Sequence, residues 1–523
     1  FQYIVQAGDA SSDLDYLSNT ALDPNGGTIT DVAGNSAEVS LAAPGAAGSL
    51  SSIKSLIIDG GAPVVTMVSS QTSDGTYIIG DTLNINITFN ENIYVSGSPQ
   101  LTLETGSNDA TSSFVSGDSS TIISFRYIVE NGHNSGDLDY TSTSSLALNS
   151  GTLQDIAGND VSLSLPIPGQ SSSLSANKAL IIDGLQPTVA NVSSSLNDGL
   201  YNIGDNIPLT VTFSENVLVT GTPQLTVATG DSNTVVDYAS GSGTNTLTFN
   251  YVVANGDYAT DLDYLGTNAL ALNSGVIQDV AGNDATVTLV AAGSEGSLGA
   301  NKDIVVDGIV PTVSNVSTAN ADGLYMIGDS IVITVTFTEA VGVTGTPQVN
   351  LSTGSANTLI NYVLGSGTTT LSFDYVVESG DSVGDLGYAD TSALILNGGS
   401  IKDVAGNDAT LDFTTPGADG SLAANKTLVI DGVLAVVNAV SSSSSDGTYK
   451  IGDTLNIAIT FNESVFTTGV PQLTLETGDA DAVVDYSIGS GSTTLNFSYI
   501  VFEGQSTNDL DYTTTNSLVL NGG

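Results

Sequence analysis

A period of 124 residues constrains this chain more than any other feature of its sequence. The pentapeptide DVAGN at Asp31 returns as DIAGN at Asp155 and again as DVAGN at Asp279 and Asp403, always one period later. An I-G-D tripeptide, a D-G that follows an apolar run, and single Pro and Glu positions keep the same step without a gap. Self-similarity at a fixed step indicates a tandem array of one structural unit.

The boundaries of the copies follow from the apolar run that ends in I-D-G. After that run Pro187 removes a backbone donor and stiffens the connection to the next copy, whereas Ala435 stands at the fourth such position. The sequence opens and closes inside a copy, so we expect it to be a stretch of a longer array. The predicted domains are a partial copy 1–60, the first full copy 61–184, the second 185–308, the third 309–432, and a partial copy 433–523.

Strand patterning fills each copy. Leu83, Ile85, Ile87 and Phe89 alternate with polar residues, and the alternation recurs one period later. Gly, Asn, Asp and Ser fill the gaps between such runs, and no segment has convincing helical periodicity. Several short strands per copy predict an all-β chain of tandem Ig-like β-sandwich repeats of 124 residues, arranged as an elongated rod.

Charge and composition exclude several classes of function. Asp and Glu number 55 against 7 Lys and Arg, which gives a net charge of −48. That charge disfavours nucleic acid and anionic membrane surfaces as partners. The chain has no Cys, which removes thiol catalysis and disulfides, and no apolar run long enough to span a membrane. We find no signal peptide at Phe1.

The position of the acidic residues predicts calcium sites between copies. If successive strands alternate in direction, the I-G-D turn, the D-L-D-Y segment and the linker Asp of one copy face the Glu turn and the DVAGN loop of the next. Clusters that offer only oxygen ligands suit Ca²⁺, which takes six to eight of them. The candidate ligands are Asp81, Asp137, Asp139, Asp183, Asp205, Glu215, Asp261, Asp263, Asp279, Asn283, Asp307, Glu339, Asp403 and Asn407.

A purely structural interpretation of the same residues remains open. Asp, Asn and Gly are favoured in turns for their local hydrogen bonds, so DVAGN is also typical of a tight turn closed by its Asp. The Tyr of D-L-D-Y, for example Tyr264, stands where a tyrosine corner would stabilise the fold. Gly387 replaces the second Asp of D-L-D-Y in one copy, where we expect a weaker site. Neither a GGxGxD repeat nor an EF-hand loop occurs.

Catalytic alternatives find little support in the sequence. His133 stands where other copies carry Asp257 or Asp381, which indicates a solvated surface histidine rather than a catalytic one. A glycosidase would need a carboxylate pair in a sugar-binding cleft, and here the pair recurs in a turn of a chain without Trp. The in-phase lysines, such as Lys178 and Lys302, are expected to pair with nearby carboxylates, and a contact between chains is the alternative.

Two segments carry a resemblance to a known family of repeats. The run DGLYNIGDNIPLTVTFSENVLVTGTPQLTVATG from Asp198, and NALALNSGVIQDVAGNDA from Asn268 to Ala285, resemble the SWM-type repeats of giant bacterial cell-surface and adhesin-like proteins. The resemblance covers essentially the whole chain. It implies Ig-like or cadherin-like modules, secretion to a bacterial surface, and calcium at the junctions between modules.

These observations predict a non-enzymatic, extracellular structural array that acts as a stalk, matrix or filament subunit. Its expected partners are neighbouring copies of itself or the rest of a longer chain, and its expected cofactor is Ca²⁺. The alternative is an adhesin whose repeats bind a glycan or a protein on another surface. Near-identical copies favour the structural role, because a dedicated binding site would single out one copy.

Overall fold

The computed structural model describes all 523 residues, of which 45% lie in strands and 3% in helices. The prediction of an all-β tandem-repeat fold is therefore confirmed. The chain divides into two compact units, Phe1–Gly308 and Ile309–Gly523. No helix is both long and apolar enough to cross a membrane.

The first unit contains the partial copy 1–60 and the first two full copies. Residues 1–60 form β1 (Ala10–Ser11), α1 (Leu50–Ile53) and β2 (Ile58–Asp59). The first full copy forms β3 (Val65–Ser70), β4 (Gly75–Ile78), β5 (Thr82–Ser96), β6 (Gln100–Glu104), β7 (Ala110–Ser116), β8 (Ser120–Ile128), β9 (Asn134–Ser135), β10 (Asp139–Tyr140), β11 (Leu146–Ala147), β12 (Thr152–Gln154), α2 (Leu174–Asn177) and β13 (Leu180–Asp183). The second forms β14 (Val189–Ser194), β15 (Gly199–Asn202), β16 (Asn206–Thr220), β17 (Gln224–Val227), β18 (Thr234–Ser240), β19 (Thr244–Val252), β20 (Tyr258–Ala259), β21 (Leu270–Ala271), β22 (Val276–Gln278), α3 (Leu298–Asn301) and β23 (Ile304–Asp307).

The second unit repeats the same order of elements. The third full copy forms β24 (Val313–Thr318), β25 (Gly323–Met326), β26 (Ser330–Thr344), β27 (Gln348–Ser352), β28 (Asn357–Leu364), β29 (Thr368–Val376), β30 (Ser382–Val383), β31 (Gly387–Tyr388), β32 (Leu394–Ile395), β33 (Ser400–Lys402), α4 (Leu422–Asn425) and β34 (Leu428–Asp431). Residues 433–523 form β35 (Val437–Ser442), β36 (Thr454–Val465), β37 (Gln472–Glu476), β38 (Ala482–Ile488), β39 (Ser492–Ile500), β40 (Asp511–Tyr512) and β41 (Leu518–Val519).

Each full copy is built from a large and a small sheet. In the first copy the large sheet runs in the order β10-β6-β7-β8-β5-β12, with β3 paired to β5 and β11 paired to β6. The small sheet has the order β4-β13-β9. Strand β13 pairs with β4 in parallel, so the last strand of the copy lies beside one of its first strands. Each copy is thus closed by its own chain.

The predicted alternation along the strands is confirmed by burial. Leu83, Ile85 and Ile87 are fully buried in the first copy, and Ile207, Leu209 and Val211 are fully buried in the second. Four separate hydrophobic cores result, and each one draws its residues from a single copy. At about 25 cal/mol per Å² of buried apolar surface, a core of this kind is the main stabilising contribution to each copy.

Short helices are the elements that sequence periodicity did not predict. Each spans four residues, and the N-cap serine, for example Ser173, accepts a hydrogen bond from the backbone N–H three residues later. The buried Leu174 anchors the single turn to the core. One turn is too short to produce a helical pattern, so periodicity does not reveal it.

The position of the recurring Glu differs from its prediction. Glu339 was expected in a turn between two strands, but it lies inside the 15-residue strand β26, where the register with β29 shifts between Thr336 and Val341. Glu215 lies at the corresponding register shift of β16. A bulge of this kind kinks the strand and redirects a side chain without ending the pairing. Because the alternation of apolar and polar residues is interrupted at the bulge, the sequence pattern resembles two strands joined by a turn.

Candidate metal centre

Three carboxylates meet at the start of the first full copy. Asp59 ends β2, Glu91 lies in the bulge of β5, and Asp155 follows β12. Each offers one oxygen, and the three oxygens all lie within 4.8 Å of one another. Asp155 is buried, whereas Asp59 and Glu91 are half-buried. We call these residues the junction cluster, because Asp59 belongs to the partial copy 1–60 and the other two belong to the copy 61–184.

The DIAGN loop fixes the third carboxylate of the junction cluster. Asp155 Oδ1 accepts a hydrogen bond from the backbone N–H of Asn159 at 2.9 Å, and Asp155 Oδ2 accepts one from Asn159 Nδ2 at 2.7 Å. Asn159 Nδ2 also donates to the carbonyl oxygen of Asp59 at 2.9 Å. The asparagine therefore joins the linker to the loop, so the motif closes a turn and connects two copies at once.

The ionisation of the junction cluster is finely balanced. Burial opposes ionisation of Asp155, but the hydrogen bonds from Asn159, Gly158 and Ala157 outweigh it and hold the pKa of Asp155 below its usual value. Burial raises the pKa of Glu91, and the charges of Asp59 and Asp155 raise it further. Two like charges about 4.8 Å apart repel by on the order of 3 kcal/mol at an effective dielectric constant of 20, and solvent reduces this value for half-buried groups. A cation would remove that cost.

The equivalent carboxylates also interact between the first and second full copies. Burial raises the pKa of Glu215, and the neighbouring charges of Asp279 and Asp183 add to the effect. Asp279 is 2% exposed and accepts hydrogen bonds from the backbone N–H groups of Gly282 and Asn283. The predicted ligands Asp183, Glu215 and Asp279 are therefore close enough for the two aspartate charges to raise the pKa of Glu215.

Asn283 bridges the two copies with every polar atom of its side chain. Its Nδ2 donates to the carbonyl oxygen of Asp183 at 2.8 Å and to Asp279 Oδ2 at 2.8 Å. Its Oδ1 accepts from the backbone N–H of Ile79, in the β4–β5 turn of the preceding copy, at 3.0 Å. Asn283 was predicted as a metal ligand. Its amide oxygen instead makes a hydrogen bond between copies.

In the second unit, the predicted ligands lie on the corresponding elements. The carboxylate oxygens of Glu339 and Asp403 lie within 4.8 Å of each other. Asp403 Oδ1 accepts from the backbone N–H of Asn407 at 2.9 Å, and Asp403 Oδ2 accepts from Asn407 Nδ2 at 2.8 Å. Asp307 ends β23 in the first unit.

The D-L-D-Y aspartates lie in different surroundings from those expected. Asp139 was placed in a turn facing the next copy, but it lies on β10, paired with β6, and is 8% exposed. Asp139 Oδ2 accepts from Ser175 Oγ at 2.6 Å and from the backbone N–H of Gly169 at 3.0 Å, and its Oδ1 accepts from the backbone N–H of Tyr140. These donors belong to the same copy, so Asp139 stabilises its own copy.

The second copy shows the same use of this position. Asp263 Oδ2 accepts from the backbone N–H of Gly293 at 2.9 Å. Burial, and then the charges of Asp303 and Asp263, raise the pKa of Asp261. Asp303 was not among the predicted residues, because only this copy carries an acid at that position. Asp137, the counterpart of Asp261, is exposed.

The I-G-D aspartates close their own turns. Asp81 Oδ2 accepts from the backbone N–H of Ile78 at 2.9 Å, and Asp205 Oδ2 accepts from the backbone N–H of Asn202 at 3.0 Å. The tyrosine of D-L-D-Y has the structural role that the alternative interpretation gave it. Tyr264 Oη donates to the carbonyl oxygen of Val290 at 2.8 Å, and burial raises the pKa of Tyr264 to about 12.

Sequence reasoning missed two features of these sites. Asp59, Glu91 and Asp155 keep the 124-residue step, so the period itself could have added them to the predicted ligands. His133, predicted to be solvated, is half-buried and stacks on Tyr127 with ring centroids 5.6 Å apart. Its counterpart Asp257 accepts a hydrogen bond from Tyr251 Oη, which identifies the position as an acceptor rather than a solvated one.

Comparison with known proteins does not assign the chain to a family. No protein-family model and no curated protein matches the sequence. Among solved structures, the I-band fragment I67–I69 of titin is similar at 9% identity and a TM-score of 0.24, over 71% of this chain and 98% of that one. Domains 4–9 of the surface layer protein SbsC are similar at 10% identity and a TM-score of 0.10, over 87% and 85%. At these scores neither likeness carries an argument about function.

Proposed function

We propose that this chain is part of an extracellular, non-enzymatic structural array of a bacterial surface protein, in which each 124-residue copy is one domain and Ca²⁺ stabilises the junctions between copies. The array would act as a stalk, matrix or filament subunit. The observation that supports the metal is the junction cluster, where Asp59, Glu91 and Asp155 face one another within 4.8 Å.

Cationic side chains do not neutralise the junction cluster. The ion pairs of the chain join Lys178 to Asp74, Lys402 to Asp408 and Lys450 to Asp453, and none of these carboxylates belongs to the cluster. With 7 Lys and Arg for 55 acids, most carboxylates have to be balanced by ions from solution. A divalent cation bound by three carboxylates balances several charges at one point.

The donor set suits Ca²⁺ better than a transition metal. The junction cluster offers carboxylate oxygens only, without Cys or His, and such hard ligands favour Ca²⁺ or Mg²⁺. Asp155 is held by its loop, whereas Glu91 projects from a bulge, and this irregular arrangement suits the tolerant coordination of Ca²⁺ more than the octahedral demand of Mg²⁺. Water would complete the six to eight ligands.

The recurrence of these acidic residues supports a structural role. The acid trio Asp183, Glu215 and Asp279 repeats the chemistry of the junction cluster one period later, on the same elements. Asn159 and Asn283 already join adjacent copies through hydrogen bonds. Bound calcium would therefore reinforce a connection that the asparagines make, and would remove the repulsion that opposes it.

Thermal unfolding of the intact 523-residue chain tests the proposal. A hundredfold excess of Ca²⁺ over its dissociation constant would stabilise each site by about 2.7 kcal/mol, so the unfolding midpoint is expected to rise with CaCl₂ and to fall again with EGTA. Glu91→Gln together with Glu215→Gln should reduce the rise. Glu295→Gln, which removes the charge of an exposed Glu, should leave it intact. A midpoint that does not respond to CaCl₂ would exclude the calcium part of the proposal.

A further inference from the structure

A surface cavity lies on the large sheet of the first full copy. It has a volume of about 510 Å³ and lies against strands β7 and β8, on the face of the large sheet that bears Ser113 and Arg126. Its walls include Thr111, Tyr127, Glu130 and His133. Sites for small ligands commonly have volumes of about 300 to 1,000 Å³.

The only Arg and the only His of the chain both line this cavity. At the Arg126 position the other copies carry Asn250, Asp374 and Ser498. Arg126 is exposed, and the ion pairs of the chain are all made by lysines, so its guanidinium is free to bind a ligand. In a chain with 55 acids, an arginine without a carboxylate partner is unusual.

Two more positions in the cavity have lost an acid relative to other copies. Ser113 stands where the second and last copies carry Asp237 and Asp485. His133 stands where the second and third copies carry Asp257 and Asp381. Ser113, Arg126 and His133 all line the cavity, and each of these differences from other copies makes the cavity less negatively charged. The electrostatic repulsion of an anionic ligand is therefore weaker in this copy.

His133 keeps the structural role of the acid that it replaces. Its Nδ1 accepts from the backbone N–H of Glu130 at 3.1 Å and lies 3.0 Å from Tyr127 Oη, just as Asp257 Oδ2 accepts from Ala254 N–H and from Tyr251 Oη. Because Nδ1 accepts from a backbone N–H, the donor of the ring is Nε2. The exchange therefore changes the charge of the cavity and leaves the fold of the loop unaltered.

The remaining groups define the chemistry of the ligand. Asp109 and Glu130 accept hydrogen bonds from hydroxyl groups, Thr111 and Ser113 can both donate and accept, and Val115 and Ile128 offer apolar contact. Arg binds a planar carboxylate through two parallel hydrogen bonds. A ligand with one carboxylate, several hydroxyls and an apolar ring face matches this set.

We propose that the first full copy carries a binding site for carboxylate-bearing sugars, with Arg126 as the carboxylate ligand and Asp109 and Glu130 as acceptors for sugar hydroxyls. This site lies apart from the junction cluster and adds recognition to the proposed structural role. One copy of the array would then contact an acidic glycan, while the other copies serve as spacers.

Calorimetric titration of the intact chain with a galacturonic acid tetramer tests the site, with the neutral galactose tetramer as the matched ligand. EGTA is included, so that calcium bridging between acidic groups does not contribute and the test is independent of the junction proposal. We expect one bound tetramer per chain for the acidic sugar and none for the neutral one. Arg126→Asn should weaken binding about tenfold or more, since it removes a charge-assisted, two-point contact.

Matched variants make the result decisive. Lys450→Asn removes the same charge from an exposed side chain in the last copy and should leave binding unchanged. Asn is the natural residue at the Arg126 position of the second copy, so the variant is expected to fold, and its circular dichroism verifies this. The second copy carries Asn233, Val235 and Ala254 where the first has Asp109, Thr111 and Glu130. Asn233→Asp, Val235→Thr, Asp237→Ser, Asn250→Arg, Ala254→Glu and Asp257→His, introduced together, should therefore create a second site.

Three outcomes would overturn the proposal. They are the absence of saturable binding of the acidic tetramer, equal affinity of the chain for the neutral tetramer, and an Arg126→Asn variant that binds as tightly as Lys450→Asn. Equal binding of a glutamate-rich peptide would show that the cavity recognises carboxylates without regard to the sugar, and would also contradict the assignment.

Discussion

Two groups of carboxylates recur along the chain, and they differ in what surrounds them. In the junction cluster, Asp59, Glu91 and Asp155 face one another, and mutual repulsion together with burial raises the pKa of Glu91. Asp139 is also a carboxylate, but three donors of its own copy surround it. Carboxylates of the same copy therefore have different roles: the junction cluster carries charge that requires a partner from solution, and Asp139 is a hydrogen-bond acceptor of the fold.

The third full copy shows that a copy can fold without the hydrogen-bond acceptor at the Asp139 position. Gly387 replaces the aspartate, and Ala423 replaces the serine that donates to it in the first copy, so both partners of the bond are absent together. In that copy Tyr388 Oη still donates to the carbonyl oxygen of Thr414, and its ring packs against Phe413 at 4.7 Å. The second copy keeps Asp263 without the serine, which is Gly299 there, and Asp263 still accepts from the Gly293 N–H. Loss of the aspartate alone, in contrast, would leave the serine hydroxyl and backbone N–H groups without their acceptor.

The largest expected effect comes from breaking the intact pair. Asp139→Ala should lower the free energy of unfolding of the first copy by about 3 kcal/mol, because it leaves Ser175 Oγ and two backbone N–H groups without their acceptor. Hydrogen exchange of peptides that cover β10 would measure it. Asp137→Ala, at an exposed position two residues earlier, should change protection little. Equal effects of the two variants would contradict the structural role of Asp139.

Removing the bridging asparagine should have the next largest effect. Asn283→Ala deletes the bonds to the carbonyl oxygen of Asp183 and to the N–H of Ile79 and is expected to cost about 2 kcal/mol. Ile79 lies in the preceding copy, and its N–H loses its acceptor in this variant. The amide hydrogen of Ile79 should therefore exchange faster. Val280→Ala, in the same loop but 76% exposed, serves as the control. Unchanged exchange at Ile79 would show that the contact between copies is weak in solution.

Restoring the missing pair should give a smaller gain. Gly387→Asp with Ala423→Ser recreates the bond of the first copy, and the nearest atom to a new Cβ at Gly387 is Ala423 Cβ at 3.9 Å, so space is available. We expect the third copy to gain about 1 kcal/mol, and each single substitution to gain less. Denaturant unfolding of the double variant and both single variants measures the coupling. Additive effects would indicate that the bond does not form.

The smallest effect is expected from pH. The raised pKa of Glu215 means that the folded state favours its protonated form. Its contribution to stability is therefore present below the ordinary value of 4.5 and is lost as pH rises through the raised pKa. In EGTA, the unfolding midpoint should rise slightly as the pH falls from 7 toward 5, and Glu215→Gln should flatten the change.

At lower pH, Asp155 makes the unfolding midpoint change with pH in the opposite direction. Hydrogen bonds hold the pKa of Asp155 below its ordinary value of 3.8, so its stabilising contribution is present above that value and is lost as pH falls through the lowered pKa. The midpoint should therefore pass through a maximum and then decline in acid. A midpoint that falls steadily from pH 7 downward would contradict the assignment of repulsion at Glu215.

The sequence predicted the strands and the period because both are local or repeated patterns. Alternation marks buried positions such as Leu83 directly, and a copy of fixed length shows which residues are equivalent. It did not place the bulge, because a strand that kinks near Glu91 still alternates on either side. Nor did it separate the two kinds of aspartate, since the donors to Asp139 lie at Gly169 and Ser175, far along the chain.

The parallel pairing of β13 with β4 has a mechanical consequence. The chain enters a copy through β3, which pairs with β5, then forms β4, and it leaves just after β13, which runs beside β4 in the same direction. Tension applied at the two ends of a copy acts first on β3 and β13, and once β3 has separated from β5 it pulls β4 and β13 past each other in shear. All of the hydrogen bonds between them bear the load together, whereas a hairpin would unzip one bond at a time. A parallel strand pair loaded in shear therefore resists stretching more strongly than a hairpin of the same length, and every full copy has such a pair.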